Sequence, residues 1–134
     1  MTLEQGILQF LSGVAPVTAV VGTNLYGLIR ERLPPQVAQL PAVMVQRTTT
    51  LRDVLFCGTD TLVSTDMQVD SYAMTGDDAW ALAKALRKAL VDFTGNFGEV
   101  AIDTVHLTNE FPMTDPEPGI IRIVQLYNIW YQED

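Results

Sequence analysis

The stretch IIRIVQLYNIWY, residues 120–131, decides the fold that this sequence predicts. Its alternate positions hold Ile121, Ile123, Tyr127, Ile129 and Tyr131 in one set, and Val124, Leu126 and Trp130 in the other. Successive side chains of a β-strand point to opposite faces of its sheet, so this strand is apolar on both faces. A strand of this kind has to be covered on both faces. The stretch therefore predicts a strand inside a sheet whose two faces are both buried.

Three other stretches are typical of β-strands. Residues 42–50 are rich in β-branched side chains, residues 61–74 alternate between apolar and polar, and residues 102–113 hold a third strand. Residues 51–60 join the first two as a long β-hairpin arm, and residues 115–119, rich in Pro and Gly, form a turn before the last strand. Strands joined by such connections are expected to be antiparallel neighbours.

Two stretches predict amphipathic α-helices. Thr2 and Gln5 have the spacing of a capping box at the start of the first helix. Thr75 caps the second helix, and Gly95 and Gly98 are predicted to end it. The apolar stripe of the second helix consists of Ala79, Leu82, Ala83, Leu86, Leu90 and Phe93.

The order of the elements is helix, strand, strand, helix, strand, strand. We therefore predict one α+β domain over residues 1–134, with a four-stranded, mainly antiparallel sheet and two helices packed on one face. Residues 14–41 are the least regular part, because Pro34 and Pro35 interrupt any regular element. Two helices cover only one face of a sheet, so the second apolar face of the last strand is left for another chain to cover.

The composition excludes several classes of protein. The chain has 134 residues, 48% of them hydrophobic, and its 8 basic and 16 acidic residues give a net charge of -8. Its apolar runs are far shorter than the about 18 residues that a membrane helix needs, and we expect no secretory signal at its N-terminus. Scattered basic residues are not expected to grip DNA, which is bound mainly through its phosphates. The single Cys57 excludes an internal disulfide framework.

No catalytic motif stands out. His106 is the only histidine, and a solvent-facing strand residue is a simpler explanation for it than a general base or a metal ligand. Asp66 and Asp70 share one face of their strand, which we interpret as a hydrated outer face rather than as an acid–base pair or a cation site. Cys57 is interpreted as a small hydrophobic residue. We therefore expect no enzyme, no cofactor and no metal ion.

Five apolar side chains are candidates for an interface between copies of the chain. Leu55 and Phe56 lie in the hairpin connection. Trp80 is on the side of the second helix that carries its basic residues, and Trp130 and Tyr131 are close to the end of the last strand. Scattered surface apolar residues are normal. Together, however, these five favour an oligomer in which the hairpin arm reaches a neighbouring copy.

Four stretches resemble one known family. They are the N-terminal helix with Ile7 and Leu11, LPAVMVQ at residues 40–46, VDSYA at residues 69–73 before an alanine-rich helix, and NIWY at residues 128–131. In these stretches the chain resembles the tail completion proteins of long-tailed bacteriophages and prophages, also described as tail terminator or head–tail joining proteins. The resemblance covers nearly the whole chain and includes no catalytic residue.

The resemblance implies a structural role. Proteins of this family are α+β subunits that form a ring, six-fold in the relatives, on the last ring of the major tail-tube protein. Such a ring stops tube polymerisation and offers a surface to the head–tail connector or stopper protein. It is assembled in the host cytoplasm and lies in the virion at the head-proximal end of the tail. We expect the genome to pass its lumen without specific binding, because acidic residues repel DNA, and we expect no contact with a membrane.

Three alternatives stay open at this point. A small-ligand-binding regulatory domain of the same architecture would be a compact monomer or dimer, with polar groups converging in a pocket between helix and sheet. Another neck or minor tail protein is the second alternative. An enzyme that uses His106, or the pair of Asp66 and Asp70, is the third.

Overall fold

The computed structural model describes residues 2–21, 25–27, 41–52, 62–114 and 120–132. Its helices are α1 (Leu3–Leu11), α2 (Ala15–Val21) and α3 (Gly76–Leu90). Its strands are β1 (Leu25–Gly27), β2 (Ala42–Arg52), β3 (Leu62–Ala73), β4 (Gly95–Phe97), β5 (Val100–Thr114) and β6 (Ile121–Gln132). None of the helices in these ranges is long and apolar enough to cross a membrane.

The strands form one sheet in the order β1-β2-β3-β6-β5-β4. β1 and β2 are parallel, and the other four pairs of neighbouring strands are antiparallel. The α+β class and the antiparallel sheet are thus confirmed, and β6 lies between β3 and β5, inside the sheet as its sequence predicts. β2 and β3 pair as the two sides of the predicted hairpin, whose connection at residues 53–60 lies outside the described residues.

The predicted count of four strands and two helices is wrong in detail. Two strands of only three residues, β1 and β4, extend the sheet at its edges, and three residues are too few for an alternating pattern to show. The third helix, α2, lies in the stretch that the sequence left irregular. Pro16 is tolerated there because it stands in the first turn, and Val17 and Val21, four residues apart, are buried together.

The main core lies between the helices and one face of the sheet. That face of β6 contributes Tyr127, Ile129 and Tyr131, all buried as their alternation predicts. The helices contribute Leu3, Ile7, Leu11, Val17, Val21, Leu82, Leu86 and Leu90. The expectation that the helices cover one face of the sheet is therefore confirmed.

The predicted helix starts are confirmed, but the predicted end of α3 is not. Thr75 Oγ1 accepts a hydrogen bond from the Asp78 backbone N–H at 3.2 Å, and Thr2 and Gln5 form a complete capping box. α3 ends at Leu90, five residues before Gly95, and the chain then turns back into β4.

Phe93, which the sequence placed in the helical stripe, leaves the helix and joins an aromatic cluster. Its ring centroid lies 4.7 Å from that of Phe10 and 4.6 Å from that of Phe97. Such ring pairs add to the free energy that their burial supplies. The cluster therefore provides a packing reason for the chain to leave the helix and turn toward β4.

Helix α1 contacts both edges of the sheet. At one edge, Gly6 passes so close to β4 that a Cβ atom on it would lie 2.5 Å from the Phe97 carbonyl oxygen. Toward the other edge, where α1 also contacts β1, Glu4 accepts a hydrogen bond from Arg47 Nε of the neighbouring strand β2 at 2.7 Å. One helix of nine residues thus ties β2 to β4.

We predict that Gly6→Ala destabilises the protein, although alanine is the better helix former. The added methyl group has to displace the β4 backbone, and overpacking of this kind costs about 1–3 kcal/mol. Chemical denaturation followed by circular dichroism measures the change in the free energy of unfolding. Gly13→Ala is the matched control, because a Cβ atom at Gly13 meets its nearest neighbour, the Phe10 carbonyl oxygen, at an ordinary 3.5 Å. A Gly6→Ala variant as stable as the wild type contradicts the close approach.

Candidate functional site

The second face of the sheet carries no described helix. In its central rows, Asp66 of β3 and His106 of β5 both pair with Asn128 of β6, and Ser64 of β3 pairs with Trp130. These side chains point away from the helices, because their neighbours along each strand belong to the main core. We refer to this surface as the helix-free face.

An apolar band runs along the helix-free face. Leu126 and Trp130 of β6 and Phe111 of β5 are half-buried, and Met113 of β5 is 42% exposed. Leu126 and Trp130 therefore agree with the expectation that the second apolar face of β6 lacks a helical cover, whereas Val124 of the same face is only 2% exposed and is already buried within the chain. Phe111 and Met113 were missed by the sequence reasoning, although their alternation with Glu110 and Pro112 is a signal that could have found them.

Polar side chains at the centre of the face form a small hydrogen-bonded group. Asn128 Nδ2 donates to Ser64 Oγ at 2.9 Å and to Asp66 Oδ1 at 3.0 Å. Asp66 and His106 are exposed, as the sequence predicts for His106. Within the described ranges, no three side chains of His, Cys, Asp or Glu come together as a metal site would require. The group is therefore a polar surface patch with a free carboxylate oxygen.

Asp70 corrects the expectation of a hydrated outer face. It shares the face of Asp66, yet it is only 1% exposed. Gln68 Nε2 donates to both of its oxygens at 3.0 and 3.1 Å, and Arg122 Nη1 lies 3.8 Å from Oδ2. The burial has a tertiary cause: at this end of the face, Met44, Tyr72 and Ile120 form a second apolar cluster. The two aspartates thus differ in environment and form no acid–base pair.

The outer side of α3 carries an exposed stripe of a different character. Trp80 is 42% exposed, and Lys84 and Lys88 follow it at helical spacing, both exposed. The other cations whose side chains the structure describes are Arg47, Arg87 and Arg122, each paired with a carboxylate. In this part of the chain, Lys84 and Lys88 are therefore the cations left for an outside partner. We call Trp80, Lys84 and Lys88 the α3 stripe.

A buried polar network fixes α3 on the sheet and so fixes the direction of the stripe. Arg87 Nη1 donates to both oxygens of Glu110, at 3.0 and 3.1 Å. Gln125 Nε2 donates to Glu110 Oε2 at 2.6 Å and to the Ala83 carbonyl oxygen at 2.9 Å. Tyr127 completes the network by donating to Gln125 Oε1 at 3.0 Å. Burial, and then the Glu110 carboxylate, raise the pKa of Tyr127 well above its ordinary value.

The five residues expected at an interface fall in three places. Trp80 lies on the outer side of α3, and Trp130 lies half-buried on the helix-free face, so the structure puts them on opposite layers. Tyr131 is 3% exposed and belongs to the main core. Leu55 and Phe56, like Cys57, lie outside the described residues.

We predict an alkaline loss of stability that depends on Tyr127. In the unfolded chain its hydroxyl ionises near pH 10, whereas the folded state retains the proton to higher pH. Above about pH 10 the folded state therefore binds more protons, and the free energy of unfolding falls as the pH rises. Tyr127→Phe should cost about 1 kcal/mol at pH 8 through the lost hydrogen bond.

The same variant should lose less further stability than the wild type between pH 9 and pH 11.5. Urea denaturation at a series of pH values measures both slopes. Other groups that titrate in this range are shared by the two proteins and cancel in the comparison. Equal slopes would show that Tyr127 ionises alike in both states.

Known proteins resemble this chain both in sequence and in fold. A family model described as tail completion protein gp17 matches residues 5–132. Among solved structures, a chain of one titled "Virion of native gene transfer agent (GTA) particle" is similar, with a TM-score of 0.71 and 18% sequence identity. The similarity covers 98% of this chain and 95% of that chain, and at this identity it shows a shared fold. No curated protein matches the chain.

Proposed function

The chain belongs to the family of tail completion protein gp17, and from this premise we propose that it caps the tail tube of a phage-like particle. Membership of the family gives the coarser role, that of a structural protein of a phage-type tail. The proposal goes further: copies form a ring on the last ring of tube protein, end its polymerisation and offer the opposite surface to a head–tail connector or stopper protein. In the virion the ring would lie at the head-proximal end of the tail.

The observation that carries the proposal is that apolar side chains lie exposed or half-buried on both layers of the part of the subunit that the structure describes. Trp80 is exposed on the helix layer, and Trp130 and Leu126 lie on a face that no described helix covers. Large exposed apolar patches mark contacts with other chains, and apolar side chains on both layers favour such contacts here. A contact between two different patches closes into a ring when its rotation allows. If the ring fits the tube on one side but not on the other, the next tube subunit has no template on which to add.

The charge of the chain suits a channel that lets DNA pass. Its 16 acidic residues outnumber its 8 basic residues, which gives a net charge of -8. Like charge repels the phosphates of the genome rather than trapping them. We therefore propose that the ring binds no specific nucleic acid and needs no cofactor. A structural family also favours a protein without catalytic activity. Assembly would take place in the host cytoplasm.

The interface residues of the proposed ring are Trp80, Trp130 and the hairpin residues Leu55 and Phe56. Tyr131 is better assigned to the core of its own subunit, because its side chain is buried there. The hairpin between β2 and β3 would reach a neighbouring copy, while the tryptophans would pack in the contact between subunits. Aromatic anchors of this kind often supply most of the free energy of an interface.

The proposed capping activity predicts that the protein ends tube growth. Purified protein is added to polymerising tail-tube protein encoded in the same gene cluster, and tube lengths are measured by negative-stain electron microscopy. We expect shorter tubes with a ring at one end, because a capped end offers no template. Tubes of unchanged length with bare ends would contradict the proposal. Trp80→Ala serves as a comparison, with weaker capping expected.

The proposed hairpin contact predicts a separate effect on assembly. Replacing residues 53–60 with an Asn-Gly turn should leave a folded subunit, because such turns connect antiparallel strands directly. The shortened protein should lose the ring species that the wild type forms. Size-exclusion chromatography with light scattering measures the species, and thermal unfolding checks the subunit. Normal rings from the shortened protein would remove the hairpin from the interface.

A further inference from the structure

Trp80 and Trp130 lie on opposite layers of one subunit. The apolar side of α3 packs into the main core through Leu82 and Leu86, which leaves Trp80 facing outward. Trp130 stands on the other face of β6, next to the buried Ile129 and Tyr131 in sequence. An isologous contact uses the same patch on both copies. Two patches on opposite layers suit instead a contact from the front of one copy to the back of the next.

The two patches carry opposite charge. The α3 stripe holds Lys84 and Lys88, which no described carboxylate contacts, while the exposed Asp77 and Asp78 lie in the first turn of α3, on the other side of Trp80 along the helix. In the central rows, the helix-free face presents the exposed Asp66, whereas Arg122 farther along the face is held by Asp70. Complementary charge at the edge of an interface steers encounter and fixes register. A second copy of this chain therefore offers the α3 stripe the acidic and apolar surface that it requires.

The spacing of the two patches also agrees. On α3, Trp80 and Lys84 are four residues apart, or roughly 6 Å along the helix axis. On the helix-free face, Asp66 pairs with Asn128, and Trp130, two residues further along β6, lies diagonally across from Asp66 at roughly 7–8 Å. An indole and a charge thus stand at matching distances on both surfaces.

We propose that the α3 stripe of one copy docks on the helix-free face of the next, with Trp80 against the apolar band around Trp130 and with Lys84 and Lys88 beside Asp66. The contact rests on the proposed ring and specifies how its copies join. Because the two patches differ, a row of joined copies always has one free patch of each kind, one at either end. The row closes into a ring when the rotation between copies brings these two ends together. The two tryptophans then belong to one interface, as its two halves.

Charge reversal tests the contact. The first variant is Lys84→Glu with Lys88→Glu, and the second is Asp66→Lys. Each alone places like charges together in every contact, so we expect its fraction of rings to fall at least tenfold. Mixed in equal amounts, the two variants should assemble again in alternation, since each contact then joins opposite charges. Native mass spectrometry with a mass tag on one variant measures the species and their composition.

A triple variant that combines all three substitutions is the matched control. Each of its contacts joins reversed but opposite charges, so it should form rings alone. Thermal unfolding of every variant shows whether the subunit is folded. Should a charge variant fail to fold, Trp80→Ala replaces it, because this exposed side chain can be removed without opening the core, and it too should lower the ring fraction at least tenfold.

The outcomes separate this contact from the proposed ring. If the wild type forms rings and the charge variants assemble equally well, the proposed contact is wrong and the proposed ring still stands. If each charge variant loses its rings, and neither the mixture nor the triple variant forms them, the pairing of these two patches is wrong. A wild-type protein that stays monomeric at every concentration, and on tail-tube ends, overturns both the ring and the contact.

Discussion

The contact of α1 with both edges of the sheet is the constraint on which the rest of the structure depends. The helix backbone passes the Phe97 carbonyl at a distance that only a glycine at position 6 allows, and two residues earlier Glu4 binds Arg47 on the opposite side of the sheet order. A short helix that is tied to β2 and β4 at once requires the sheet to curl toward it. The helices then fill the inner side of the curl, and the helix-free face turns outward.

The curl also determines where α3 lies and what its outer side offers. The hydrogen bonds of Gln125 to Glu110 and to the backbone of Ala83 join α3 to β5 and β6 beneath its apolar residues. Buried polar groups that are fully bonded specify one arrangement, because any other leaves them unsatisfied. These bonds, made where α3 meets the sheet, thus help to set the direction in which Trp80 points. The contacts that place α3 on the sheet therefore also decide which of its side chains face outward.

Alternation and capping made the main elements predictable from the sequence, because both are local. The two apolar sets of β6 and the cap at Thr75 were predictable because each depends only on residues that are close together in the sequence. The burial of Asp70 did not follow from such a pattern, since the residue that helps to close that end of the face, Ile120, lies fifty positions away. Gly6 was recognisable as unfavourable in a helix, but its partner in β4 was not. For the proposed interface, the sequence pointed to Trp80 and Trp130, but their placement on opposite layers was not predictable from it.

A strand that is apolar on both faces leads from fold to assembly by one physical argument. The helices bury one face of β6, and Trp130 and Leu126 remain on the other. A covering layer within the chain would complete a monomer, whereas in the proposed ring a second copy would supply this cover and would present its own helix-free face to a third. Repetition of that step is what a ring requires. The incomplete burial of a single strand is therefore the property that makes this fold suited to a structural role in a tail.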